Sequence, residues 1–172
     1  MTWRYRFNIL FSAAAFILCL SAGAENSSTF NQKGMDELYA GHPDRAAEFF
    51  IKAIAIDPGK KHYYNNLASA YMRMGEYLKA EEHLKKSLQL DSNYARALSN
   101  MSVTLFYLGR YRESYNYYLL TKKADREYTE KRFEKNRVSS VIKKLSDEKP
   151  DDEDLKKIKE YMDSDTDSEG VK

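Results

Sequence analysis

The sequence predicts an all-α protein, three stacked helix-turn-helix units closed by a C-terminal helix, and three observations predict it. A shift of 34 residues brings Gly41, Gly75 and Gly109 into one column and Asp57, Asp91 and Asp125 into another, which is the mark of stacked structural repeats. Apolar residues recur at helical spacing, as in Leu67, Ala68 and Tyr71 on one stripe and Ala80, Leu84 and Ser87 on the next. Seven Gly, three Pro and one Cys in 172 residues leave few turn formers for a β-sandwich or a Gly-rich nucleotide fold, and no disulfide framework. A chain of this length has room for one modest domain with appendages.

Residues 1–24 read as a secretory signal peptide. Arg4 and Arg6 precede an apolar run from Ile9 to Leu20 broken only by Ser12, and Ala22 and Ala24 supply small side chains ahead of Glu25. Cleavage after Ala24 is expected, which would place the remainder outside the cytoplasm, periplasmic or secreted. The alternative is an uncleaved membrane anchor, with Phe7 to Ala24 crossing a thin bilayer. Cys19 lies inside the apolar run, and Leu18 before it makes a lipid-attachment site a poor match. Removal of the segment would leave a folded part without cysteine, and so without thiolate metal sites or disulfides.

Three units follow within a domain at 25–128, at residues 27–60, 61–94 and 95–128. Large and small residues alternate by column: Phe30, Tyr64 and Leu98; Gly34, Ala68 and Ser102; Ala46, Ala80 and Ser114; Phe50, Leu84 and Tyr118; Ala53, Ser87 and Thr121. The small members let two helix axes approach, and the three glycines sit where each first helix must end. Pro58 closes the first unit. Lys33 and Glu37 depart from the pattern in that unit, at an end where one face has no neighbouring repeat.

From Thr129 the chain stays helical by pattern, and Phe133, Val138, Val141, Ile142 and Leu145 mark the apolar face of a single capping helix over 129–149. Pro150 interrupts it. Residues 150–172 read as a short helix carrying Leu155, Ile158, Tyr161 and Met162, followed by an acidic disordered tail. Without Arg4 and Arg6 the chain has 26 basic and 26 acidic side chains, a balance that argues against nucleic acid as a partner. Asp163, Asp165 and Asp167 are spaced like a calcium loop, but Ser168 stands where such a loop needs Gly.

These columns resemble the tetratricopeptide repeat family. Leu67-Ala68-x-x-Tyr71, Gly75-x-Tyr77-x-x-Ala80 and Leu84-x-x-Ser87 agree with its pattern, with Ser92 replacing the usual Pro. The resemblance implies a right-handed α-solenoid whose concave face, lined by first helices, binds a partner. A 100° wheel puts Ser28, Asn31, Met35 and Leu38, then His62, Asn65, Ser69 and Met72, then Arg96, Ser99, Val103 and Phe106 on that lining. The groove residues expected to matter are Asn31 and Asn65 for a peptide backbone, Met35, Met72 and Phe106 for apolar side chains, Arg96 for an acidic group, and His62, Ser69 and Ser99 among them. Some chaperone cofactors of the family hold a peptide carboxylate with paired Lys and Asn. Here Asn66 and Arg96 match in part, while Asn31 and Met35 stand where that clamp needs Lys and Asn, and Asn100 where it needs a cation. The clamp is therefore not expected.

Three histidines, His42, His62 and His83, are too far apart for a zinc pair or a base-nucleophile set, and no nucleophile elbow, phosphate loop or dinucleotide motif is present. No cofactor, metal or catalytic site is expected. Two functions stay open: an exported adaptor that binds a protein segment, for which resemblance to exported bacterial members suggests envelope assembly, secretion or pilus biogenesis, and a structural module that self-associates through its terminal repeats.

Overall fold

The computed structural model describes residues 26–168, with side chains described outside 135–137 and 161–168. The expected signal segment, with Cys19 and the cleavage point, lies outside the described residues. So does the end of the tail.

Nine helices run through the described residues: α1 Ser27–Tyr39, α2 Pro43–Ile56, α3 Lys61–Arg73, α4 Tyr77–Leu90, α5 Ala95–Tyr107, α6 Tyr111–Ala124, α7 Arg126–Phe133, α8 Lys135–Glu148 and α9 Glu153–Ser168. Within each unit the two helices pack on one another, α1 on α2, α3 on α4 and α5 on α6, and each second helix also touches the first helix of the next unit. First helices meet along the stack as well, α1 with α3 and α3 with α5. This is the expected α-solenoid of helix-turn-helix repeats.

The glycine column has its reason in backbone geometry. Gly41, Gly75 and Gly109 take φ of 86°, 76° and 76°, the left-handed region that a β-carbon disfavours. That turn lets the next residue reach back over the helix end: Glu76 N–H donates to the Tyr71 carbonyl at 2.9 Å, and Arg110 N–H to that of Leu105 at 2.9 Å. The aspartate column closes the opposite turn. Asp57 Oδ1 accepts from Gly59 N–H at 3.1 Å, Asp91 Oδ1 from Asn93 N–H at 3.0 Å, and Asp125 Oδ1 from Tyr128 N–H at 2.9 Å, capping α7.

The core consists of seams between units. Leu38, Ala46, Ala47, Phe50, Leu67 and Ala70 join the first unit to the second, and Ala68, Ala80, Leu84, Ala97, Met101 and Leu105 join the second to the third. Small residues set the approach within a unit. A β-carbon on Gly34 would stand 2.6 Å from the Phe50 ring. In the third unit Ser102 and Ser114 replace small apolar residues and satisfy each other, each hydroxyl donating to the other's carbonyl at 2.9 and 2.8 Å.

Polar departures in the first unit are used locally. Glu37 pairs with Arg45 at 2.7 Å and His42 at 3.0 Å around the first turn, and the Lys33 ammonium stands 6.0 Å from the centre of the Phe49 ring.

Two expectations for the C-terminal part need correction. The single capping helix over 129–149 is two helices: the chain breaks at Glu134, where φ is 39°, so Phe133 ends α7 while Val138, Ile142 and Leu145 belong to α8. The stretch after Pro150 is a helix that continues to Ser168 in place of an early acidic coil. Ile142, Leu155 and Ile158 form a third cluster against Tyr111 and Tyr115, and Lys149 Nζ donates to the Tyr111 hydroxyl at 2.9 Å, tying the α8–α9 corner to α6.

Candidate functional site

Consecutive first helices carry polar residues in matching columns, and adjacent units bring them into contact. Asn66 Nδ2 donates to Asn31 Oδ1 at 2.9 Å, and Asn100 Nδ2 donates to Asn65 Oδ1 at 3.0 Å and to Ser69 Oγ at 3.2 Å. Arg132, from α7, donates through Nη2 to Asn100 Oδ1 at 2.9 Å. The Ser99 hydroxyl meets the Tyr128 hydroxyl at 3.0 Å. A ladder of amides and hydroxyls thus crosses every boundary in the stack, and α7 extends it beyond the third unit.

This geometry divides the residues expected to line the groove. Asn65 is 5% exposed and Ser99 fully buried, so both serve the joints between helices and are not open to a partner. Leu38, at 6%, belongs to the first seam. Asn31, Met35, His62, Ser69, Met72, Val103 and Phe106 are half-buried, and Ser28 and Arg96 are exposed. Met35 and Met72 each lean on a core seam, which leaves an adaptable apolar edge on the first-helix face.

The sequence reading missed Arg132, since the repeat pattern ends at residue 128. Asn100, which stands where a carboxylate clamp needs a cation, has one beside it from the helix after the repeats. The signal available was the shared column of Asn66 and Asn100, 34 residues apart.

A second feature lies where α5, α6, α7 and α8 converge. A cavity of about 310 Å³ is lined by Phe106 from α5, Tyr115 and Tyr118 from α6, Arg132 and Phe133 from α7 and Val138 from α8, among others. Tyr118 meets Phe133 edge-on at 5.4 Å, and Phe106 meets Tyr111 at 5.6 Å. Tyr107, 61% exposed, and Val141, 39% exposed, stand at its rim.

The titratable groups answer to structural neighbours. Burial alone would push the Glu81 carboxyl up, but hydrogen bonds from Lys85 and Arg110 outweigh it and hold it below the usual carboxylate range. Burial lowers His83, whose ring stacks on Tyr71 at 5.4 Å, and burial followed by the nearby Lys60 and Lys61 charges lowers His62. Among the described residues no group of three His, Cys, Asp or Glu is placed to hold a metal, and no helix is long and apolar enough to cross a membrane. The side chains of Asp163, Asp165 and Asp167 are not among those described.

A family model described as tetratricopeptide repeat matches residues 62–127, the second and third units. Residues 62–127 carry tetratricopeptide repeats. Type IV pilus assembly protein PilF of Pseudomonas aeruginosa is 32% identical over 107 residues, 62% of this chain and 42% of that protein. Small glutamine-rich tetratricopeptide repeat-containing protein 2 of Mycosarcoma maydis is 32% identical over 73 residues, 42% of this chain and 21% of that protein. The chain therefore spans less than half the length of either relative. Among solved structures, the first tetratricopeptide domain of Spaghetti (RPAP3) bound to the HSP90 peptide SRMEEVD aligns with a TM-score of 0.58 at 17% identity, covering 84% of this chain and 95% of that one. That likeness is one of fold.

Proposed function

We propose that this chain is a non-catalytic adaptor that holds a segment of a partner protein on its first-helix face, outside the cytoplasm. The observation that carries the reading is the row of half-buried Met35, Ser69, Met72 and Phe106 beside exposed Arg96, running along consecutive first helices. Apolar sockets interleaved with hydroxyl and cationic groups suit an extended or helical peptide. Solved relatives in fold support it: the Spaghetti domain is described as bound to a seven-residue peptide. The scattered histidines, each engaged by its own surroundings, support a reading without catalysis. Balanced charge supports a protein partner over nucleic acid.

Export rests on the layout of residues 1–24, and a role in envelope assembly, secretion or pilus biogenesis on likeness to a pilus assembly protein over 62% of the chain. Contact with a membrane would be through an uncleaved N-terminal segment. A self-associating module is the second reading, favoured by Ile51 and Ile56, 48% and 52% exposed on the terminal unit.

Purification of the tagged chain with its partners from the native envelope tests both. Because Asn65 is buried, the informative change is Met72→Ala with Arg96→Ala. Loss of the partner with helicity retained supports the adaptor. Partner retention, with association lost instead on Ile51→Lys, favours self-stacking. Mass spectrometry of the mature N-terminus and cell fractionation test the location, and an intact precursor in the cytoplasm would refute it.

A further inference from the structure

The cavity beside α8 combines an apolar lining with one unneutralised cation. Its two serines have no hydroxyl proton to give a ligand, because Ser102 and Ser114 donate to each other's carbonyls. Arg132 has no ion-pair partner in the cavity wall. Arg45, Arg110, Arg112 and Arg126 each pair with a carboxylate, whereas Arg132 donates to the neutral Asn100 oxygen and has no carboxylate partner among the described residues. The remaining lining is aromatic or branched, with Phe106, Tyr115, Tyr118, Phe133 and Val138 facing one space. At about 310 Å³ it sits at the low end of ligand pockets, a size for one bulky side chain and its immediate surroundings. Phe106 belongs both to this cavity and to the first-helix row, so the two features are continuous.

We infer that this cavity is a specificity pocket for a partner polypeptide, taking one bulky aromatic side chain while a carboxylate on the adjacent residue reaches Arg132. An aromatic ring in the cavity would meet tyrosine and phenylalanine edges, and a guanidinium held by an amide keeps donors in a fixed plane for a carboxylate. The inference rests on the adaptor reading and names the chemistry of the segment it recognises. The third repeat alone does not make this site; α7 and α8 complete it.

The test uses the purified full chain and a labelled peptide, Gly-Ser-Trp-Glu-Ser-Gly, beside versions with Ala for Trp and with Lys for Glu. Fluorescence polarisation is expected to show the first binding at least about tenfold tighter than either control. V141W, at the cavity mouth, fills the space and should weaken that binding by a similar factor without changing the melting temperature. R132Q keeps a donor for Asn100 but removes the charge. It should erase the preference for Glu over Lys and leave that for Trp over Ala. Equal binding of the three peptides, no binding at millimolar concentration, or indifference to both substitutions would overturn the pocket. Binding that ignores V141W and R132Q but is lost on Met72→Ala would sink the pocket and leave the adaptor reading standing.

Discussion

The carboxamide of Asn100 is hydrogen-bonded to that of Asn65 at 3.0 Å across the boundary between the second and third repeats. Both side chains are buried, at 8% and 5% exposure, and Asn100 also engages Ser69 and Arg132, so one residue joins α3, α5 and α7. Replacing it with Ala leaves the buried Asn65 oxygen without its partner, while the exposed Arg132 guanidinium turns to water. Asn100→Ala should therefore cost about 1–3 kcal/mol, the desolvation penalty of an orphaned polar group. Asn66→Ala, at a partly exposed bond, should cost less. Urea denaturation of both variants checks the order, and midpoints equal to that of the wild type would show that the ladder adds nothing to stability.

Glycines in the first two repeats make a contrast that the periodicity alone conceals. Gly34 is in the column with Ala68 and Ser102, and its β-carbon position falls 2.6–3.0 Å from ring atoms of Phe50. Gly75 has open space around it but φ of 76°. Gly34→Ala should cost about 1–3 kcal/mol through overpacking, and Gly75→Ala about 1–2 kcal/mol through the left-handed backbone. Adding Phe50→Leu should recover part of the first loss and none of the second, read as coupling in a double-mutant cycle of melting temperatures.

Legibility in the sequence followed the repeat. Gly41, Gly75 and Gly109, the small-residue columns and the seams around Phe50 and Leu84 were readable because each position recurs three times under one physical constraint. The aspartate column was visible, though its role as a turn acceptor needed coordinates. Asn65 and Ser99 were placed on an open lining because a helical wheel registers direction but not the neighbouring helix that covers a face. Arg132 and the α7–α8 break were illegible for a related reason: they lie after the last repeat, where no second copy exists to compare, and a continuous apolar pattern does not reveal a single residue at positive φ.

Two leucines test how separable the ends of the stack are. Leu84 is fully buried in the seam between the second and third repeats, and Leu155 is fully buried against Ile142 and Ile158. Leu84→Ala should cost about 2–5 kcal/mol and lower protection from hydrogen exchange through the whole stack, since each repeat contacts only its neighbours. Leu155→Ala should remove protection in α8 and α9 while α1 to α4 keep theirs. Uniform loss in both variants would mean that the C-terminal helices and the repeats unfold as one unit.

Acid should act on the Glu81 carboxylate, which joins the second and third repeats. It is 6% exposed and accepts from Arg110 at 2.8 Å and from Lys85 at 2.7 Å, while Arg110 also holds Glu113 at 2.6 Å. Burial opposes the charge, the two cations favour it more, and the folded carboxyl ends below its ordinary value of 4.5. A depressed folded value means that the unfolded chain takes up the proton first. The contribution is thus complete above that ordinary value and drains away as pH falls towards the folded one. Wild type should therefore exceed Glu81→Gln in melting temperature at pH 7, and the gap should narrow by pH 3.5. Arg110→Met should lower stability at pH 7, because it strips the buried carboxylate of one of its two donors. A gap between wild type and Glu81→Gln that stays constant from pH 7 to 3.5 would show that packing, and not charge, is what Glu81 contributes at this joint.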